Sequence, residues 1–225
     1  SCSASMAVFA DLKKYFPALY DQPIVYLDSA ATTQMPVSVL EAVSGYERGG
    51  RGNPYRGLHA FAAQATELLS SSRATVAAFI GARPEELLFT KGTTEGLNLV
   101  ARALGAGLGP GDEVVLTIFE HHANLLPWRE LARERGFSIA YLPMAKNGSV
   151  DLELAKKIIT SKTKVVALAH ASNVLGTILP IRKLAELAHG VGAFVIVDAA
   201  QSVARLPVDV KELGCDALAF GAHKM

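Results

Sequence analysis

Five short polar runs in this chain carry side chains able to do chemistry, and each follows an apolar stretch. Thr90-Lys91-Gly92-Thr93-Thr94-Glu95 joins glycine, hydroxyls and an acid where a helix would begin. Free N–H groups at a helix start favour a phosphate, and glycine lets it approach the backbone closely. The same residues also make an ordinary helix cap, a threonine with a glutamate nearby. Glu120-His121-His122-Ala123-Asn124 offers paired histidines. Adjacent side chains diverge and no third ligand is evident. That argues against a metal and leaves a histidine beside an aromatic cofactor ring, or a solvated loop histidine. His170-Ala171-Ser172-Asn173-Val174-Leu175-Gly176 places Asn173 in a turn. Asp198-Ala199-Ala200-Gln201 ends the most apolar run of the chain. A buried carboxylate there must be paired or hydrogen-bonded, unless it simply caps a helix. His223-Lys224 ends the last apolar run. A lysine at the mouth of a sheet is commonly solvated; desolvated, it becomes a nucleophile or Schiff-base former.

The elements that must position these residues alternate from residue 85 onward. Apolar runs at Leu87–Thr90, Glu113–Thr117, Phe137–Leu142, Lys164–Ala169, Phe194–Asp198 and Ala217–Phe220 read as strands. Leu97–Leu104, Leu125–Arg135, Leu152–Ile159 and Ile181–Val191 read as helices. Continuous apolar strands alternating with helices imply a mainly parallel sheet covered on both faces, with ligands beyond the carboxyl ends of its strands. The N-terminal part differs. A helix over Val8–Tyr15, a short strand over Ile24–Leu27, a Gly/Asn/Pro-rich loop at 49–54 and a long helix over Leu58–Ile80 are expected there.

Composition narrows the class. The 225 residues are half hydrophobic and carry 22 Lys and Arg against 21 Asp and Glu, so no basic stripe suited to nucleic acid arises. No run approaches a membrane span. Two cysteines, Cys2 and Cys215, make neither a disulfide framework nor a zinc site and favour a reducing, cytoplasmic setting. Ser1–Ser5 before Met6 lacks the apolar core of a targeting signal and reads as an expression scar.

Taken together, the five runs resemble the class V aminotransferase family of fold-type I pyridoxal-phosphate (PLP) enzymes. Within it they resemble the cysteine desulfurase branch, which also holds selenocysteine lyases. Tyr26-Leu27-Asp28-Ser29-Ala30-Ala31-Thr32-Thr33 and Tyr55-Arg56-Gly57-Leu58-His59 match N-terminal motifs of the same branch. The resemblance implies the α/β large domain of that fold, a mainly parallel seven-stranded sheet with helices on both faces. Residues 1–24 would be an N-terminal segment and 25–225 the PLP-binding domain. A chain closing at Met225, straight after a strand and a charged pair, reads as a piece of a longer enzyme whose small domain follows.

The resemblance also implies roles. Lys224 would carry the cofactor and shuttle protons, and Asp198 would pair with the ring nitrogen. Gln201 would bond the ring's phenolic oxygen, and His121 would stack on the ring and move protons. Thr93, Thr94 and His223 would hold the phosphate, while Asn173, with Ala30 and Arg56, would meet the substrate; no metal is implied. The implied activity turns L-cysteine into L-alanine and passes sulfur as a persulfide to an acceptor protein for iron–sulfur cluster assembly, from a homodimer with composite sites. Two departures stand out. Gly221 occupies a position where many relatives carry serine, and neither cysteine matches the family's nucleophile. A selenocysteine lyase, another class V enzyme or a catalytically silent scaffold are the alternatives.

Overall fold

The computed structural model describes residues 12–146 and 148–225, so the first half of the expected Val8–Tyr15 helix lies outside them, as does the run Ser1–Ser5. Within the described part a 3-10 turn spans Lys13–Tyr15. The chain forms two compact units. One runs to Thr75 and includes Lys224; the other holds Val76–His223 and Met225.

In the first unit, helix α1 spans Val37–Gly49 and follows Pro36, whose fixed φ suits a helix entry. Helix α2 spans Ala60–Phe79, two residues inside its expected start. His59 sets that start, because its Nδ1 accepts from the Ala62 N–H at 3.3 Å. Its other end is a left-handed glycine stop. Gly81 has φ +70°, and the Ala82 N–H returns to the Ala77 carbonyl at 2.9 Å.

The second unit is built on a parallel sheet of β1 (Glu113–Thr117), β2 (Ser138–Leu142), β3 (Thr163–Ala169), β4 (Phe194–Asp198) and β5 (Ala217–Ala219), in the order β2-β1-β3-β4-β5. All four pairings are parallel. Helices α3 (Thr93–Gly105), α4 (His122–Arg135), α5 (Leu152–Ile158), α6 (Ile181–His189) and α7 (Val210–Leu213) connect them. Side-chain alternation along each strand divides the core in two. Val114, Leu116, Val165, Ala167 and Ile196 pack with Leu97, Trp128 and Leu131 of α3 and α4. Val115, Val166, Leu168, Val195 and Val197 pack on the other face with Leu184 and Ala185 of α6 and Ala155 of α5. The central strands β1, β3 and β4 are buried on both faces, which is why their sequences are continuous apolar runs rather than alternating ones.

The sheet therefore has five strands among the described residues, not seven. Ile24–Leu27 and Leu87–Thr90 form no ladder. Val25 and Leu27 are 77% and 88% exposed, and Leu88 is 64% exposed. An apolar run becomes a strand only where a neighbour accepts its N–H and C=O groups. Tyr26 instead donates its hydroxyl to the Thr32 carbonyl at 2.6 Å across the Asp28–Thr32 turn.

Leu168 of the central strand β3 has no exposed surface. Leu168→Ala should destabilise the protein by about 3 kcal/mol through lost burial and a cavity. The change should read as a lower denaturant midpoint at an unchanged slope.

Candidate active site

Strand order reverses at β1, with β2 on one side and β3 on the other, and such a switch point opens a crevice at the carboxyl ends of the strands. Four chain segments bring their polar runs to that edge.

Asp198 ends β4 and is buried to 6% exposure. One carboxylate oxygen accepts from the Ala200 N–H at 2.9 Å, so the side chain turns back over its own loop and does not cap a helix. Its strand neighbours are small: Ala169 on β3 and Ala219 on β5. Gly96 of α3 lies against Ala219, where a Cβ would come within 3.4 Å. Gln201 is half-buried in the turn that follows.

The start of α3 is arranged to leave donors unused. Glu95 accepts from the Lys91 N–H, and the Thr90 hydroxyl donates to the Gly92 carbonyl at 3.0 Å. Gly92 has φ +154°, a backbone setting that L-residues rarely adopt. The Thr93 hydroxyl takes no part in this cap. It is buried and has no hydrogen-bond partner. Gly221 stands beside it: a Cβ there would lie 3.1 Å from both Thr93 Oγ1 and His223 Nδ1. Hydroxyl, imidazole and the open first turn of a helix thus surround a space kept clear by glycine. A phosphate suits that donor set.

His121 is the N-cap of α4, and its Nδ1 accepts from the Ala123 N–H at 3.1 Å. That bond occupies the Nδ1 lone pair, so the neutral ring carries its proton on Nε2. His121 and Thr94 line one groove of about 420 Å³ between α3 and α4. The residue before it, Glu120, is buried and was not singled out by sequence reasoning. It accepts from Thr117 Oγ1, Asn124 Nδ2 and the Ala169 N–H. Burial raises its pKa to about 7; the three donors oppose that, and the Asp198 charge adds to it. The signal available in sequence was an acid with threonine three residues before and asparagine four residues after.

After β3, the Ser172 hydroxyl accepts from the Val174 and Leu175 N–H groups at 3.3 and 3.1 Å and leaves Asn173 exposed at the loop tip. His170 is buried with its Nδ1 unpartnered, and burial lowers its pKa, which favours the neutral ring.

Thr93, Thr94, His121, Asn173, Asp198, Gln201 and His223 thus belong to one unit, at the carboxyl side of its sheet. Ala30, Arg56 and Lys224 belong to the other. Lys224 ends a 3-10 turn, Ala222–Lys224, and is half-buried. Arg56 follows Tyr55, whose φ of +66° is unusual for a side chain of that size. Among the described residues no three His, Cys, Asp or Glu gather as a metal site. No helix among them is long and apolar enough to cross a membrane. Burial raises the Cys215 thiol to about 11, which keeps it a thiol and a poor nucleophile.

Comparison with known proteins shows what the chain is similar to in sequence and fold. A probable cysteine desulfurase of Halalkalibacterium halodurans is 47% identical over 221 residues, covering 96% of this chain and 54% of its own. The apo structure of a cysteine desulfurase from Thermococcus onnurineus superposes with a TM-score of 0.90 at 42% identity, over 95% of this chain and 52% of that one. SspA in complex with cysteine superposes at 0.83 with 28% identity, over 89% of this chain and 58% of that one. The chain spans about half the length of the curated relatives it matches. The aminotransferase class-V pattern matches residues 25–225, and the chain belongs to that family.

Proposed function

We propose that this chain is the cofactor-binding part of a PLP-dependent cysteine desulfurase, which turns L-cysteine into L-alanine and hands on the sulfur as a persulfide. The observation that carries the reading is the buried, unpartnered Thr93 hydroxyl, set beside His223 across the side-chain-free Gly221 at the start of α3. An orphaned buried hydroxyl is costly unless something meets it, and a phosphate would.

The residues present fit the group. Thr93, Thr94 and His223 would hold the phosphate, Asp198 the protonated ring nitrogen, Gln201 the phenolic oxygen, and Lys224 the covalent link. When bound, the cofactor supplies an electron sink for the charge left on the substrate as its Cα proton departs. Each side chain then has a defined task. The Asp198 carboxylate, buried and fixed by the Ala200 N–H, would keep the proton on the ring nitrogen. Lys224 Nζ would take and return the Cα proton. The Nε2–H of His121, set by the cap at Nδ1, would donate toward the substrate. Asn173, with Arg56 and Ala30, would meet the substrate's carboxylate end. The thiolate that receives sulfur is not Cys215, whose buried thiol stays protonated; Cys2 lies outside the described residues. The family resemblance further supports a cytoplasmic homodimer that delivers sulfur to an acceptor protein for iron–sulfur cluster assembly.

Adding PLP to the chain should give a visible absorption band, which Lys224→Ala should lose. Asp198→Asn should weaken cofactor binding by roughly 1.5–3 kcal/mol, since a charge-assisted bond is lost, and cut turnover by orders of magnitude. The 225 residues alone should turn yellow yet release no sulfide from L-cysteine; robust sulfide release would overturn the reading.

A second test addresses the phosphate. Gly221 has φ −139° and ψ 131°, which any residue adopts. Gly221→Ala should therefore leave the backbone unstrained while its methyl group presses on Thr93 and His223. PLP affinity should fall by about tenfold or more while the far-UV spectrum stays unchanged.

A further inference from the structure

Only four residues, Ile118–His121, join β1 to α4, and the last of them must present an imidazole at the edge of the sheet. Glu120 is the buried one among them. Its Oε1 accepts from Thr117 Oγ1 at 2.5 Å and from the Ala169 N–H at 3.0 Å, and its Oε2 accepts from Asn124 Nδ2 at 2.7 Å. The three donors stand at the end of β1, at the end of β3 and in the first turn of α4. Ala169 lies opposite Asp198 in the β3–β4 register, and the His170 N–H donates to the Asp198 carbonyl at 2.8 Å. Closing a loop does not require a buried acid, and stripping a carboxylate of water is costly. What the acid offers is two acceptor-only oxygens that engage three elements at once.

We propose that Glu120 is a positioning residue: its buried carboxylate ties β1, β3 and α4 together and so fixes the place and tautomer of His121 relative to Asp198. The proposal rests on the reading that His121 and Asp198 serve a PLP ring. His121 holds its proton on Nε2 only while the Ala123 N–H stays at Nδ1, and that cap stands where the Glu120–Asn124 bond anchors the first turn of α4.

The titratable groups near this carboxylate are Asp198 on β4, His170 after β3 and His121 next in the chain. Burial pushes Glu120 up to about 7, and Asp198 pushes the same way. Burial pushes His170 down, which disfavours its charged form. The folded value of Glu120 lies above its ordinary 4.5, so the native state keeps a proton that the unfolded chain has lost. The Glu120 contribution to stability therefore falls as pH rises from about 4.5 to about 7, the lowered His170 opposes it, and a glutamine at this place removes the Glu120 part.

The experiment compares the full-length protein with Glu120→Gln, Glu120→Ala and Asn124→Ala. Apo proteins are followed by nitrogen NMR of labelled histidine and by denaturation against pH, and then titrated with PLP. Glutamine keeps one oxygen for Thr117 and Ala169, and its amide can meet the unpartnered Oδ1 of Asn124 once that side chain rotates. Glu120→Gln should therefore keep the single Nε2–H signature of His121 while losing the Glu120 part of the pH slope. Glu120→Ala should average the two ring nitrogens of His121 and weaken PLP binding by about tenfold, the scale usual for groups that orient a ligand's holder. Asn124→Ala cuts the same tether at its helical end and should shift His121 in the same direction, which keeps the test decisive if Glu120→Ala does not fold. A folded Glu120→Ala or Asn124→Ala protein with wild-type His121 signals overturns the proposal. A wild-type protein that binds no PLP would sink the functional reading instead, while the apo His121 signals would still decide this one.

Discussion

A parallel sheet buried on both faces has few places for polar chemistry, and this constraint organises the second unit. Its central strands give their interior positions to apolar side chains, and most of their backbone N–H and C=O groups are spent on neighbouring strands. Polar groups can gather only where the ladders stop. Asp198, Glu120 and His170 sit at such ends, the Thr93 hydroxyl sits at a helix start, and all are buried. The desolvation that makes them costly also makes them useful, because charges and donors in a dry site interact far more strongly than in water.

Two carboxylates share that edge, and their surroundings separate them. Asp198 is held by a backbone N–H of its own turn. Glu120 is encircled by three donors, yet burial still wins and leaves its proton near balance at about 7. In the proposed reading, one acid faces a ligand and the other holds the frame. Small neighbours support the first role, since Ala169, Ala219 and Gly96 leave room beside Asp198.

Much of this was legible in the sequence. The runs at Glu113–Thr117, Lys164–Ala169 and Phe194–Asp198 are apolar apart from residues at their ends, which identifies strands covered on both sides, and the structure forms them within a residue of those bounds. Ile24–Leu27 and Leu87–Thr90 look similar in composition but find no ladder partner, and a partner's absence is not written in four residues. Helix α1 and the single turn α7 were not anticipated, being short or lacking a polar start. At the site, the cap at Thr90–Glu95 could be read either way from sequence. Only geometry shows Glu95 closing the cap while the Thr93 hydroxyl stays unpartnered. Glu120 was hidden for a related reason: its partners include Ala169, 49 residues away, which no local pattern reveals.

The central claim is that this chain binds PLP through Lys224. It is tested most directly by reducing the PLP-treated protein with borohydride, digesting it and locating the added mass by peptide sequencing in the mass spectrometer. The account predicts a single modified residue, Lys224. Label spread over several surface lysines, or fixed at one other lysine, would contradict it.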